Sequence, residues 1–280
     1  MTEISASDAS LYLEYFYRIL EKHTGISLDH SKEYLVSSRL SVIAKNRGFS
    51  DYSSLLKHLY LSPIGPPHWE CFEAMTTNET MFFRDVHPFE SIRDHILPAL
   101  IKKNSEEKKL HIWCAASSTG QEPYSLAILI KESFPDLASW NILMRATDIS
   151  ESAIKKSVEG IYNETEISRG LTKHQIQTYF TQSGNGCWQL IPELKKNIVF
   201  ERLNLVEEWP VSAKYDLILL RNVLIYFKHE TKLEVINKLY DHLADDGSVL
   251  MLGSSESLLY EDRFLMIKQD RINYYQKRKI

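Results

Sequence analysis

Apolar positions follow two different rhythms along this chain. Up to about residue 75 they recur at helical spacing: Leu13, Phe16, Tyr17 and Leu20 form one stripe. "HTGISLDHSK" then breaks the pattern, with Gly25 as a C-cap and Asp29 or Ser31 as the next N-cap. Val36, Leu40 and Ile43 predict a second helix ending near Gly48. "SDYSSLLKHLY" opens a third behind a Ser-Asp cap, and "SPIGPP" is a firm break. From Leu110 the rhythm changes to short apolar runs alternating with helical patterns. Strands are predicted at 110–114, 142–147, 197–203, 215–221 and 247–253. Helices are predicted between them, over about 122–133, 150–158 and 229–244. The near-continuous apolarity of "DLILL" marks a strand buried on both faces, as in a parallel sheet.

This alternation predicts an α/β fold with a doubly wound sheet. The tail adds two strand-like runs around a polar turn at about 269–271, so the sheet is expected to end in an antiparallel pair. Within the α/β region, a Gly-Asn-Gly turn between aromatic-containing runs reads as a small inserted β-hairpin at about 172–196. The expected organisation is an all-helical domain over 1–75, a linker and helix over 76–109, and the α/β domain over 110–280.

Composition excludes more than it adds. The 280 residues are 44% hydrophobic and 25% charged, as in an ordinary globular protein. A net charge of −4 with no basic stripe argues against a nucleic-acid partner. Cys71, Cys114 and Cys187 are far apart and include no CxxC pair, so neither a disulfide framework nor a metal site is expected, and a reducing cytoplasmic compartment fits. "MTEISASDAS" has neither a basic nor an apolar leader segment, and no apolar run reaches the roughly 20 residues of a membrane helix.

The candidate chemistry begins at "AASSTG" (115–120), between a predicted strand and a predicted helix. Ligands bind open α/β sheets at the carboxyl ends of the strands, where backbone must approach them closely. A loop of small side chains meets that need, and so would a plain tight turn. Asp148, ending "ATD" at the next strand's carboxyl edge, suits a ribose diol; capping the helix that follows is the alternative. No Walker-type Gly-Lys-Ser/Thr is present. An adenosine ligand without phosphates, S-adenosyl-L-methionine, fits better than a nucleotide.

"TTNETMFFRD" (76–85), "IWCAASSTGQEPYSLAI" (112–128), "ATDISESAIKKSVEGIY" (146–162) and "YDLILLRNVLIYF" (215–227) resemble the CheR family of chemotaxis receptor methyltransferases. The resemblance runs over essentially the whole chain, in matching order. It implies a Rossmann-like methyltransferase sheet with an N-terminal helical domain and a small inserted β-subdomain. It also implies methyl transfer from S-adenosyl-L-methionine to glutamate side chains of chemoreceptors, leaving S-adenosyl-L-homocysteine. Carried over by position, the cofactor-binding residues are Asn78, Thr80, Arg84, Glu122, Asp148, Asn204, Leu205, Arg221 and Asn222, with Arg84 also the catalytic candidate that orients the substrate carboxylate. Bland roles compete: an ion pair of Arg84 with Asp85 or Glu90, a helix-dipole contact for Glu122, turn-capping for Asn204 and Asn222. Tyr226 is left between a packed aromatic and a substrate contact.

The loop departs from the family's frequent Gly, Cys and Glu at Ala116, Ser117 and Gln121. All three replacements remain compatible with close approach. Because a glutamate with a pKa of about 4.3 is already ionised at neutral pH, such a transfer needs alignment and exclusion of water rather than a general base. The implied partners are the acidic cytoplasmic helices of a receptor, and in some members a receptor C-terminal peptide docked on the β-subdomain. Lys32, Arg39, Lys45 and Arg47 would offer a basic face, although they do not fall cleanly on one side of a helix. A monomer without membrane insertion is expected. A methyltransferase of another substrate and a non-catalytic cofactor-binding signalling module are the alternatives.

Overall fold

The computed structural model describes residues 6–209, 214–245, 247–258, 261–269 and 271–278. Its contacts divide the chain into two units. The first comprises residues 1–77 with 204–208 and 226–235; the second comprises the remainder.

The first unit is built on α1 (Ala6–Thr24), α2 (Glu33–Asn46), α3 (Tyr52–Leu61) and α4 (Pro66–Met75). The stripe on α1 packs Phe16 and Leu20 against Val36 and Leu40 of α2, Leu55 and Leu59 of α3, and Phe72 of α4, all fully or almost fully buried. Asp51 caps α3 by accepting the Ser54 N–H at 2.7 Å. Asp29 caps a short 3₁₀ turn at His30–Lys32 instead of opening α2 directly. Gly25 follows α1 with φ +77°, and a Cβ there would stand 2.8 Å from Val206 Cγ1.

Of the four residues of the expected basic face, Lys32, Lys45 and Arg47 are exposed and Arg39 is half-buried. Arg39 donates to the carbonyls of Ala74 and Thr76, and the Arg47 Nε donates to Glu70 at 2.6 Å. These two arginines are spent on the unit's own structure. The outward side of α2 carries exposed Tyr34 and Val42.

The second unit opens with α5 (His87–Ser91), a π-helical turn at Ile92–Ile96 and α6 (Leu97–Lys103). There follow β1 (Lys109–Ala115), α7 (Gln121–Ser133), β2 (Asn141–Asp148), α8 (Glu151–Glu159), β3 (Ile161–Asn163), α9 (Glu164–Ser168) and α10 (Lys173–Tyr179). The chain continues through β4 (Phe180–Gly184), β5 (Cys187–Leu190), β6 (Ile198–Arg202), β7 (Leu217–Leu220), α11 (His229–His242), β8 (Val249–Leu252), β9 (Phe264–Gln269) and β10 (Ile272–Lys277). The main sheet has the order β6-β2-β1-β7-β8-β10-β9. Its first five strands run parallel, and β10 pairs antiparallel with both β8 and β9. The polar turn expected at about 269–271 includes Asp270, outside the described residues.

Every residue of β7 and β8 is buried, which is why these strands read as unbroken apolar runs. Alternate residues (Leu110, Ile112 and Cys114; Leu217 and Leu219; Val249 and Met251) form one face of the sheet, with Ile92, Ile96 and Leu100 and, from α7, Leu126 and Leu129 packed on it. The chain moves outward from β1 in both directions, to β2 and β6 on one side and β7 and β8 on the other. The strand order therefore reverses between β1 and β7, where open α/β sheets place their ligands.

The inserted β-subdomain is a three-stranded antiparallel sheet, β3-β5-β4. It recruits β3, upstream of the hairpin that the sequence marks. Phe82, from the "TNETMFFR" string, is fully buried in its aromatic cluster, with ring centroids 5.1 Å from Tyr162 and 5.7 Å from Phe180.

Candidate functional site

Strand register brings one row of chain ends together. Ala115 pairs with Thr147 and with Leu220, and Leu220 pairs with Leu252. The residues that follow, namely the small-residue elbow, Asp148, Arg221 with Asn222, and Gly253, therefore lie along the carboxyl edge of neighbouring strands. The row spans the switch point.

The elbow alternates its backbone handedness, with Ala116 at φ +54°, Ser118 at +51° and Gly120 at +93°. Left-handed non-glycine residues cost about 1–2 kcal/mol each, so the surroundings must hold them. Ser117 N–H donates to the Thr147 carbonyl at 2.8 Å, while the Ser118 and Thr119 carbonyls accept from Ser157 Oγ at 3.0 Å and Tyr162 OH at 2.7 Å. A Cβ on Gly120 would stand 3.0 Å from Ser157 and 3.1 Å from Tyr162 OH. Small side chains are thus required by the packing behind the loop as well as by any ligand in front of it.

Asp148 is not the cap of α8. Ser150 fills that position, its Oγ accepting the Ala153 N–H at 3.1 Å. Asp148 instead accepts the Ser118 N–H on Oδ2 at 2.8 Å and the Ser150 N–H on Oδ1 at 2.9 Å, tying the elbow to the turn after β2. The Asn78 carbonyl accepts from Ser118 Oγ at 2.8 Å, which brings the front of the "TNETMFFR" string into the same cluster.

Arg221 holds the other end of that string. Its guanidinium donates to Glu122 Oε2 at 2.9 Å, to Asp85 Oδ2 at 2.8 Å and to the Arg84 carbonyl at 3.0 Å. The alternative role for Arg84, an ion pair with Asp85 or Glu90, is not the one adopted: Asp85 pairs with Arg221 and Glu90 with His87. Arg84 donates only to the Glu79 carbonyl, at 3.1 Å, and makes no ion pair among the described residues. Burial pushes the Glu122 carboxyl above the usual carboxylate range, with Arg221 pulling in the opposite sense. Burial also raises the Cys114 thiol well above its ordinary value, so this cysteine at the end of β1 is an inert packing residue.

Eight non-glycine residues have positive φ among the described residues, and all but Lys108 and Asn185 lie in this string or the two residues after it, the elbow or the turn after β7. Such strain concentrates where surrounding contacts over-determine the backbone, as at ligand sites. Five buried side-chain polar atoms lack a protein partner among the described residues; three of them, Ser117 Oγ, Arg221 Nε and Asn222 Oδ1, belong to this row. Buried polar groups ordinarily find partners, so these three fit a polar ligand.

The profile of the CheR methyltransferase SAM binding domain matches residues 78–272, and that of the CheR methyltransferase all-alpha domain matches residues 12–76. The chain belongs to the CheR methyltransferase family. It is 38% identical to chemotaxis protein methyltransferase 1 of Vibrio cholerae over 272 residues, covering 96% of each chain. It is also 38% identical to chemotaxis protein methyltransferase 1 of Pseudomonas aeruginosa (90% of this chain, 92% of that one), and 35% identical to chemotaxis protein methyltransferase Cher2 of Pseudomonas putida over the same shares.

As a CheR methyltransferase, the chain uses S-adenosylmethionine, and the row offers chemistry suited to it. Asp148 would offer an acceptor to a diol, and Asn222 Oδ1 with the Glu122 carboxylate would offer acceptors to an ammonium. Of the residues singled out in the sequence, Asn78, Glu122, Asp148, Arg221 and Asn222 come together here, with Arg84 joined through its carbonyl. Thr80 is partly exposed in the same string and makes no side-chain hydrogen bond among the described residues. Asn204 and Leu205 belong to the helical unit, where Asn204 Nδ2 donates to the His23 carbonyl at 2.7 Å and Oδ1 accepts the Val206 N–H at 3.2 Å.

Sequence reasoning passed over Gly170 and Glu256, and it offered Asp85 only as an alternative partner of Arg84. Asp85 stands inside the quoted string, but its partner is 136 residues away. Gly170, at φ +98°, is packed so tightly that a Cβ would fall 1.8 Å from the Phe82 carbonyl oxygen. Nothing local marks either role.

Proposed function

We propose that this CheR methyltransferase esterifies glutamate side chains of chemoreceptors, and that Arg84 orients the acceptor carboxylate. The observation that supports this reading is a division of labour between two arginines. Arg221 is buried, with both terminal nitrogens engaged by Glu122, Asp85 and the Arg84 carbonyl, so it fixes the site. Arg84 is only partly buried, and among the described residues its side chain makes a single hydrogen bond, to the Glu79 carbonyl, so its other N–H groups are available to an incoming carboxylate.

The bound cofactor supplies an electrophilic methyl group on a sulfonium centre. Around it, Glu122, Asp148 and Asn222 would hold and orient the donor, while the "TNETMFFR" string shields the site from water. No proton need be removed from a carboxylate acceptor at neutral pH, which accords with a row that contains no histidine. The names of the relatives, chemotaxis protein methyltransferases, support the receptor as substrate. The β-subdomain supports a second contact: among the described residues β4 pairs only with β5, leaving a strand edge on which a receptor C-terminal peptide would add.

Incubation with tritium-labelled S-adenosylmethionine and receptor-containing membranes tests the reading. Base-labile label on the receptor is expected from the wild type, and Arg84→Ala should lose transfer while still binding cofactor. Label on RNA or on small molecules, or cofactor binding with no transfer, would overturn it.

A further inference from the structure

The turn after β7 carries Asn222, and its shape is imposed by a carboxylate from elsewhere in the chain. Glu256 lies beyond the end of β8. Its Oε2 accepts the Asn222 N–H at 2.9 Å and the Gly253 N–H at 2.7 Å, and its Oε1 accepts the Val223 N–H at 2.9 Å. One side chain thus satisfies backbone donors from two neighbouring strand ends.

Asn222 adopts φ +60°, a left-handed conformation that persists only when held. The approach is close on the other side too, because a Cβ on Gly253 would stand 2.8 Å from Glu256 Oε2, 2.9 Å from Asn222 N and 3.0 Å from Asn222 Nδ2. Held in this way, the Asn222 side chain leaves a buried Oδ1 without a protein partner among the described residues. That orphan acceptor and the charge of Glu122 are what an ammonium group would meet.

We propose that Glu256 is a positioning residue for the methionine end of the cofactor, acting through Asn222. It does not touch the ligand; it fixes the turn that aims Asn222 Oδ1. The adenosine end, served by Asp148 through Ser118 and Ser150, is independent of it. The inference rests on the cofactor reading of the site, and the comparison of two ligands separates the two ideas. S-Adenosylhomocysteine carries the amino-acid end, whereas methylthioadenosine lacks it.

Isothermal calorimetry on the full chain provides the test. Glu256→Gln keeps the size of the side chain but places an amide N–H against backbone donors. It should weaken S-adenosylhomocysteine about tenfold, the equivalent of one lost charge-assisted hydrogen bond, and leave methylthioadenosine unchanged within about twofold. The loss should not add to that of Asn222→Ala, because both substitutions remove the same contact. Glu256→Asp, which keeps the charge on a shorter arm, should show the same split at smaller size. Equal weakening of both ligands, additive losses, or failure of both Glu256 variants to fold would overturn the proposal and leave Glu256 as a structural staple. Failure of the wild type to bind either ligand would overturn the cofactor reading itself.

Discussion

Arg221 and Glu122 form an ion pair of 2.9 Å whose side chains are only 2% and 12% exposed. Removing one member of such a pair leaves the other buried without compensation, typically at a cost of about 3–5 kcal/mol. Arg221→Met should therefore lower stability by about that amount in urea unfolding, and Arg221→Met with Glu122→Gln should recover part of it. Equal stability of wild type and Arg221→Met would mean that the pair is not buried in solution.

The same pair predicts a pH dependence. Burial raises the native Glu122 carboxyl, against the pull of Arg221, so between the ordinary and the raised value the native group binds more protons than the unfolded chain does. Between the ordinary carboxylate value and that raised value, its contribution to stability declines as pH rises. A cationic ligand group favours the ionised form, so affinity for S-adenosylhomocysteine should rise with pH through the native value and fall below it. Calorimetry over a pH series that starts near the ordinary carboxylate value and moves upward checks this, and Glu122→Gln should flatten the profile while binding more weakly throughout.

Ala116 occupies a left-handed conformation, which glycine adopts without steric cost. Ala116→Gly should relieve strain, raising stability by about 0.5–1 kcal/mol after the entropy of a more flexible unfolded chain is counted. Cofactor affinity should be unchanged, because the elbow's hydrogen bonds use backbone and neighbouring side chains. A lower thermal midpoint for the variant would contradict the assigned backbone conformation.

Gly170→Ala should have the opposite character. Its Cβ would collide with the Phe82 carbonyl, backbone against backbone, and neither segment can yield without moving the "TNETMFFR" string. A loss of more than about 2 kcal/mol in urea unfolding is expected, together with weakened cofactor binding. Wild-type stability would show that the two segments do not pack as described.

Much of this was legible in the chain because it is periodic or local. The helical stripes of the first unit, the alternation of strands and helices, the unbroken apolar runs of β7 and β8 and the small residues of the elbow are imposed by neighbours within a few positions. Asp148 shows where legibility stops: the sequence marks a carboxylate at a strand's end but leaves a helix cap and a ligand contact equally available. The choice fell to Ser150, which takes the cap, and to Ser118, whose N–H engages Asp148 from 30 residues away. Lys32, Arg39, Lys45 and Arg47 illustrate the converse, since a charge counted in sequence is silent about whether it faces water or a carbonyl.

The sequence by itself determined the order of elements, the position of the bare elbow and the family to which the chain belongs, because hydrophobic period and motif spacing act at short range. Tertiary structure alone decided that Arg221 meets Glu122 across 99 residues and Asp85 across 136, that Glu256 shapes the turn bearing Asn222, and that Gly170 touches Phe82. Those meetings are set by strand register at the carboxyl edge of the sheet and by the desolvation of charges that must then find partners. Neither quantity exists until the chain is folded.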